Sequence, residues 1–256
     1  MFFEPSPTPF DLNFRLFGVH VRVHPMHWVV SALLGSSALR DGWQFLLIWI
    51  LCVFVSVLLH ELGHVLAMRA FGTDGHIVLY SFGGLAIPLD HIRKPWQRII
   101  VSFAGPAIQL VLLAVVIGAW AALRWKEYPL NPLATELLWD LFVINLLWPI
   151  FNLLPIWPLD GGHITREVCS LVSPSGGVKV SLVLSIITAG GLAAHSLAAA
   201  NGFRIISFLG GSWFSAHFFA SLAVGSIQGL IHLNQERQWL ESHWREEGDQ
   251  WDRWRR

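Results

Sequence analysis

Apolar residues along this chain gather into long runs that are separated by short polar connections. Six of these runs approach the roughly 20 residues that a helix needs to cross the hydrocarbon core of a bilayer. The first run has only about 15 residues, so it predicts a tilted, partial or re-entrant segment. The pattern predicts an all-α polytopic membrane protein with about six transmembrane helices. Their approximate limits are residues 25–39, 43–70, 96–123, 135–159, 178–200 and 203–233.

Two short segments depart from this helical pattern and favour strands. Residues 14–23 have the β-branched content and the partial alternation of an interfacial strand. Residues 75–88, between the second and third apolar runs, form two short stretches about Phe82-Gly83-Gly84. We therefore expect a short β-hairpin or a small membrane-associated sheet near the N-terminus and after the second helix, where it provides a lid or a strand edge.

The composition agrees with a membrane location. The chain is 54% hydrophobic and 13% charged, whereas a soluble domain carries about 25% charged residues. The lipid bilayer is the partner that this composition implies, and a net charge near zero gives no indication of a nucleic-acid partner. Cys52 and Cys169 sit in or beside apolar runs, so no disulfide framework is expected.

The distribution of basic residues predicts the orientation in the membrane. With six spans, 13 of the 17 Lys and Arg residues fall on the side of both termini and four fall on the other side. Cytoplasmic segments accumulate Lys and Arg, so both termini are predicted to be cytoplasmic. The expected division is an interfacial or cytoplasmic lead with a strand at residues 1–24, a transmembrane domain at residues 25–234, and a charged, Trp-rich cytoplasmic tail at residues 235–256.

Two histidines and a glutamate interrupt the second apolar run as His60-Glu61-Leu62-Gly63-His64. On a helix, residues four apart lie on one face with Cβ atoms about 5–6 Å apart, so both imidazoles can reach one divalent ion. Glu61 projects beside them, toward a metal-bound water that a carboxylate can deprotonate. These are the roles of a metalloprotease. The alternative is a pair of inward-facing histidines that hydrogen-bond to neighbouring helices.

A catalytic zinc ion takes three protein ligands and leaves a fourth position for water, so another His, Asp or Glu is required. Asp160 fits, because Pro155 and Pro158 break the helix and Gly161-Gly162 lets the backbone turn. In the predicted topology the second and fourth spans both end on the cytoplasmic side, so the three ligands are expected at similar depth. The ligand set favours zinc. The other interpretation of Asp160 is an interfacial acid that opens a turn.

These two motifs resemble a known pair. His60-Glu61-Leu62-Gly63-His64 and the segment Asn152-Leu153-Leu154-Pro155-Ile156-Trp157-Pro158-Leu159-Asp160-Gly161 are similar to the signature pair of the site-2 protease family of intramembrane zinc metalloproteases. Phe82-Gly83-Gly84 and Ala104-Gly105-Pro106 are similar to supporting segments of that family, and the resemblance runs over about residues 21–172. Trp157 stands where the family more often has a proline, and Gln109 stands where an asparagine commonly follows the Gly-Pro pair.

The resemblance implies an enzyme that hydrolyses peptide bonds within or near transmembrane segments of membrane-protein substrates and releases a cytoplasmic fragment. It implies that His60, His64 and Asp160 bind one Zn²⁺ ion and that Glu61 is the catalytic acid and base. The opening of the active site is then expected on the cytoplasmic side.

The resemblance also implies where a substrate is held. Asn152 would help to hold the substrate or the developing oxyanion. Gly83 and Gly84 would lie near an edge strand that pairs with an unwound segment of the substrate.

Two other functions stay open on the sequence alone. In a membrane metal or proton transporter, the same ionisable side chains would form an ion path. In an inactive relative that acts as a scaffold, the ligands would persist without turnover. The variant Glu61→Gln separates the protease from the transporter. The protease keeps its zinc and loses cleavage, whereas a transporter shows no cleavage from the start. The sequence leaves the substrate and the oligomeric state undetermined.

Overall fold

A computed structural model describes residues 4–81, 83–125, 129–203 and 210–254, with side chains described as far as residue 239. Phe82 of the Phe-Gly-Gly segment and the last two residues of the predicted tail lie outside the described residues. The chain divides into two compact units, Met1–Leu153 and Leu154–Arg256.

Seven α-helices are present among the described residues, and five of them are long and apolar enough to cross a membrane. The predicted second span is confirmed at the same bounds, because α2 covers Trp43–Ala70. The helices are α1 Pro25–Leu34, α2 Trp43–Ala70, α3 Pro95–Trp125, α4 Pro132–Asn152, α5 Asp160–Val172, α6 Gly177–Ala200 and α7 Trp213–Trp254.

The first predicted span is a short helix. Pro25 occupies the first turn of α1, and the His24 imidazole caps the helix by accepting a hydrogen bond from the backbone N–H of Met26 (3.1 Å). α1 ends after 10 residues and a 3₁₀-helix, Ser36–Arg40, follows. Ten residues rise only about 15 Å, which is half of the hydrocarbon thickness. Five spanning helices and this short apolar helix agree with the expected count of about six.

The fourth predicted span ends earlier than expected. The apolar run continues to residue 159, but α4 stops at Asn152 and Asp160 begins a new helix, α5. The cause is Pro155, which lacks an amide donor and disfavours helical backbone at the residue before it. Asp160 is therefore not at the end of the fourth span, as its sequence position suggested, but at the start of the next helix.

The strands form one mixed sheet in the order β1-β2-β3-β4. The small sheet expected near the N-terminus is confirmed, but residues 14–23 are not one strand, because Phe17 and Gly18 have φ values of 49° and 76° and turn the chain back into a hairpin. β2 and β3 pair in parallel, and the long crossover that a parallel pair requires contains α1 and α2. The strands are β1 Leu12–Leu16, β2 Val19–Val23, β3 Gly75–Tyr80 and β4 Gly83–Pro88.

The core of the N-terminal unit lies between this sheet and α2. Alternate residues of β2 and β3 point to α2 and are fully buried, as the period of two in a strand requires. α2 in turn contacts α3, α4 and β4, so it is the element around which the unit is built. The fully buried residues of this core are Val19, Val21, Val23, Val57, Val65, Ile77 and Leu79.

The outer face of the sheet carries a buried guanidinium. Arg22, 6% exposed, donates hydrogen bonds to Asp11 (2.9 Å) and Glu4 (2.7 Å) and so fastens the start of the chain to β2. Hydrogen bonds from Thr8 and from Arg22 lower the pKa of Asp11 to about 2, which keeps this carboxyl ionised as the partner of Arg22.

The C-terminal unit consists of α5, α6 and α7. α6 packs against both α5 and α7. The predicted tail continues α7 as a helix as far as Trp254.

Candidate metal centre

α2 carries His60, Glu61 and His64 in its buried part, where their side chains are 3%, 5% and 6% exposed. The helix forms here because an apolar segment in lipid must satisfy every backbone hydrogen bond internally. The spacing of four residues then places both imidazoles on the face of α2 that contacts α3.

Each imidazole uses its Nδ1 atom in a hydrogen bond to α3. Nδ1 of His60 lies 2.9 Å from Oε1 of Gln109, and Nδ1 of His64 lies 2.7 Å from the backbone oxygen of Val101. Amide and carbonyl oxygens only accept, so both Nδ1 atoms donate, and in the neutral imidazole the Nε2 atom then carries the lone pair. The contacts with α3 therefore select the tautomer in which Nε2 is available as a ligand.

The two Nε2 atoms lie 3.1 Å apart. Two nitrogen lone pairs at this distance repel each other, and a shared cation converts that repulsion into attraction. Two ligands at the Zn–N distance of 2.0–2.1 Å and tetrahedral angle are about 3.3 Å apart. The spacing of the two histidines thus fits one metal ion.

Two glycines allow α2 and α3 to approach closely at this point. A Cβ atom on Gly105 would lie 2.4 Å from Nε2 of His64 and 2.9 Å from Nε2 of His60. A Cβ atom on Gly63 would lie 2.6 Å from the backbone oxygen of Ala104. The backbone of α3 therefore closes one side of the histidine pair, and a side chain at either position would occupy space that the pair requires.

Glu61 faces the sheet. A Cβ atom on Gly84 would lie 2.4 Å from Cγ and 2.8 Å from Oε1 of Glu61, so the carboxylate rests against the backbone of β4. β4 is the last strand of the sheet and is paired on one side only within the part of the chain that the structure describes. An edge strand with open backbone groups thus borders the carboxylate.

The other residues expected to hold a substrate, Gly83 on β4 and Asn152 on α4, both contact Trp148. A Cβ atom on Gly83 would lie 3.8 Å from Cζ2 of Trp148. The side-chain amide of Asn152, at the end of α4, donates to the backbone oxygen of Trp148 (3.2 Å). The structure therefore places Gly84 beside Glu61 and associates Gly83 and Asn152 with Trp148.

Asp160, the third expected ligand, belongs to the C-terminal unit and is the first residue of α5. The loop before it is held to α6, because the backbone N–H of Trp157 donates to Oγ of Ser185 (2.9 Å). A Cβ atom on Gly162 would lie 2.4 Å from the backbone oxygen of Ile156. The first turn of α5 folds back onto the loop, and this close contact requires a glycine at position 162. The glycine pair that the sequence analysis associated with a turn is thus needed for packing.

The sequence assigned no role to three buried polar residues next to the histidines. Gln109, Ser56 and Asn145 are fully buried, and the Asn145 amide donates to Oγ of Ser56 (2.9 Å). Ser56 had a signal in the sequence, because it lies four residues before His60 and hence on the same face of α2. Gln109 appeared only as a departure from a family pattern.

The family comparison finds a match over much of the chain. The model described as peptidase family M50 matches residues 48–126 and 130–193. These segments contain His60, Glu61, His64 and Asp160.

Individual proteins are similar over part of their length. A provisionally named zinc metalloprotease of Synechocystis sp. is 34% identical over 167 residues, which cover 60% of this chain and 42% of the relative. A zinc metalloprotease of Methanocaldococcus jannaschii is 29% identical over 158 residues, or 61% of this chain and 44% of the relative. The chain thus matches less than half the length of these two relatives.

A solved structure has the same fold. The site-2 protease from Methanocaldococcus jannaschii superposes with a TM-score of 0.58 at 23% identity, over 86% of this chain and 95% of that chain. At this identity the likeness establishes the fold.

Proposed function

The chain belongs to peptidase family M50, and from this premise we propose that it is an intramembrane zinc metalloprotease. It is an integral membrane protein, and five helices of spanning length lie within the described part of the chain. The proposed reaction is the hydrolysis of peptide bonds within or near transmembrane segments of membrane proteins, with release of a cytoplasmic fragment. The observation that carries the proposal is the pair of Nε2 atoms 3.1 Å apart beside a buried glutamate, inside a spanning helix.

The proposed metal ligands are His60, His64 and Asp160. Two imidazoles and one carboxylate are a ligand set that suits zinc, and three protein ligands leave a fourth position open, as catalytic zinc requires. When bound, zinc supplies a Lewis acid for the scissile carbonyl and a water molecule that ionises near pH 7.

Glu61 is the proposed acid and base. Its carboxylate accepts the proton of the attacking water and then gives this proton to the nitrogen of the leaving amine. The side chain is 5% exposed and packs against β4, which restricts it to few orientations. A restricted carboxylate is already positioned for proton transfer before a substrate arrives.

The proposed substrate site is the free edge of β4, next to Glu61. A transmembrane helix hides its amides in internal hydrogen bonds, so it must unwind locally before hydrolysis. An extended segment can recover those hydrogen bonds by pairing with the edge of a sheet. Gly83 and Gly84 leave this edge unobstructed, and Asn152 is the proposed contact to the substrate or the oxyanion. Helix-breaking residues in a substrate are expected to raise the rate of cleavage.

A methyl group at position 84 is expected to lower kcat without removing zinc. In Gly84→Ala, the new Cβ atom falls 2.4 Å from Cγ of Glu61 and displaces the carboxylate, and a displacement of about 1 Å costs about 10²-fold in rate. Gly83→Ala is the comparison, because its Cβ atom makes an ordinary contact 3.8 Å from Trp148 and its effect is expected on KM. Steady-state kinetics with a fluorogenic transmembrane peptide measure both constants. Equal kcat values in the two variants would contradict the placement of Glu61.

Zinc analysis and a cleavage assay on the same purified sample test the proposed function. We expect one zinc ion per chain and release of a fragment from transmembrane peptides in proteoliposomes. Asp160→Ala is expected to weaken zinc binding by at least about 10²-fold and to abolish release, because two histidines alone make an incomplete site. A zinc-loaded protein that releases no fragment from any transmembrane peptide, and that conducts divalent ions into the liposomes, would instead favour a transporter.

We also propose that both termini and the opening of the site face the cytoplasm, with the lead at residues 1–24 and the tail at residues 235–256 flanking the protease domain. The excess of Lys and Arg on that side supports this orientation. Single cysteines introduced at Asp41 and Asp90, with Cys52 and Cys169 replaced by alanine, test it in intact cells. An impermeant maleimide is expected to label the variant at position 41 and not the one at position 90. The reverse labelling would overturn the orientation.

A further inference from the structure

We propose that Gln109 is a positioning residue that holds the histidine ligand His60 in its Nδ1-protonated tautomer, and that it does so as part of a buried polar network across three membrane helices. The inference rests on the proposed function, since it assigns Gln109 a role toward the zinc ion that His60 would bind. Gln109 itself is not one of the proposed zinc ligands.

Gln109 is fully buried in α3 and contacts α2 through both ends of its amide. Its Oε1 atom accepts from Nδ1 of His60 at 2.9 Å, and its Nε2 atom donates to the backbone oxygen of Ser56 at 3.4 Å. A polar side chain in the interior of a membrane bundle is costly unless it is hydrogen-bonded, so both contacts stabilise its position.

The partner at Ser56 decides which way the amide faces. A backbone oxygen can only accept, so the NH₂ group of Gln109 must point to Ser56 and Oε1 must point to His60. An inverted amide would set oxygen against oxygen at Ser56 and would offer a donor to Nδ1. The observed orientation therefore requires a proton on Nδ1 and leaves the lone pair on Nε2.

The two histidines are held by different kinds of acceptor. Nδ1 of His64 is bound by the backbone oxygen of Val101, which remains when the side chain at position 101 changes. His60 depends on a side chain, because its acceptor is the amide of Gln109. Substitution at position 109 can therefore remove the orienting contact of one histidine and leave that of the other unchanged.

Asn145 extends the network to α4. Its side-chain amide donates to Oγ of Ser56 (2.9 Å) and to the backbone oxygen of Leu141 (2.8 Å). Ser56 thus contacts α3 through its backbone oxygen and α4 through its hydroxyl. Both contacts occur one helical turn before His60 and fix the rotation of α2 that turns this ligand toward α3.

Variants that keep the length of the side chain but change its acceptor test the proposal. Gln109→Met removes the acceptor at similar size. Gln109→Glu keeps an oxygen that can accept from Nδ1–H, and its carboxyl group in the protonated form donates to the backbone oxygen of Ser56 in place of the amide. We expect Gln109→Met to raise the Kd for zinc 10–100-fold, as removal of an outer partner of a metal-bound histidine does, and to shift the visible absorption bands of the Co²⁺-substituted protein. Gln109→Glu is expected to restore a Kd within about 3-fold of wild type.

Leu113→Ala is the matched control for packing. Leu113 lies one turn further along α3 and is 9% exposed, so its truncation destabilises the helix contact without touching a histidine. We expect a lower melting temperature but an unchanged Kd for zinc and an unchanged Co²⁺ spectrum. If Gln109→Met does not fold, Gln109→Leu replaces it, because leucine also lacks an acceptor for Nδ1–H and is expected to weaken zinc binding in the same direction.

The outcomes separate this inference from the proposed function. A wild-type protein that binds zinc and cleaves peptides, together with a Gln109→Met variant of wild-type Kd and spectrum, would overturn the role of Gln109 and leave the protease assignment standing. A Gln109→Glu variant as weak as Gln109→Met would also overturn it. A wild-type protein without stoichiometric zinc would refute the proposed function itself.

Discussion

Glu61→Gln is expected to keep one zinc ion per chain and to lower the rate of fragment release by about 10²–10⁴-fold, the usual contribution of a general acid or base. The amide of glutamine has the size of the carboxylate but cannot take a proton from water. Because Glu61 is 5% exposed and rests against Gly84, the amide of the variant is expected to occupy the same place beside β4. The loss is therefore expected in kcat.

Release from labelled transmembrane peptides and metal content by atomic emission measure the two effects on one sample. Asp140→Asn is the matched control, since Asp140 is another buried carboxylate of a spanning helix at 5% exposure and has no role in the proposed reaction. We expect the control to cleave within about 3-fold of wild type. Cleavage by Glu61→Gln at the rate of wild type would refute the assignment of the acid and base.

Gly105→Ala is expected to weaken zinc binding by at least about 10²-fold and to abolish cleavage. The added methyl carbon would lie 2.4 Å from Nε2 of His64 and 2.9 Å from Nε2 of His60, well inside the ordinary contact distance of about 3.5 Å. Each ring is tied at Nδ1 by a hydrogen bond of 2.7 or 2.9 Å. The rings must break these bonds to escape the methyl group, and both ligands then lose their orientation.

A second glycine of the same helix provides the control. Gly118 also lies in α3, but a Cβ atom there would have nothing within 4 Å. Gly118→Ala is expected to bind zinc as wild type does and to stabilise the helix by about 0.5–1 kcal/mol. Isothermal titration with zinc, after removal of the metal by a chelator, compares the two variants. Equal affinities would mean that α3 does not approach the histidines as closely as described.

The spanning helices α2 and α3 could be predicted because long apolar runs in the sequence mark them. α2 has the bounds that its apolar run indicated, Trp43–Ala70. The end of α4 could not be read from hydropathy, since residues 153–159 are as apolar as the helix before them and only the proline at position 155 ends it. The turn that divides residues 14–23 between β1 and β2 could not be predicted either, because Phe17 has a φ of 49°, a conformation that is rare for phenylalanine.

The motif residues of the site could be predicted, because the spacing of His60 and His64 sets their common face in any helix. The residues that surround the motif could not be predicted. Gln109 lies 49 residues from His60 along the chain, and Val101 lies 37 residues from His64. Such contacts depend on how α3 packs on α2, and that packing depends on glycines whose close approach leaves no periodic pattern in the sequence.

The polar network of Ser56, Gln109 and Asn145 has a consequence for biogenesis. Each of these side chains finds its partner on a different helix, so α2, α3 or α4 inserted singly would expose unsatisfied amides and hydroxyls to hydrocarbon. α2 also carries two histidines and a glutamate into that environment. We therefore expect α2 to settle in lipid together with α3 and α4, which carry the partners of its polar side chains.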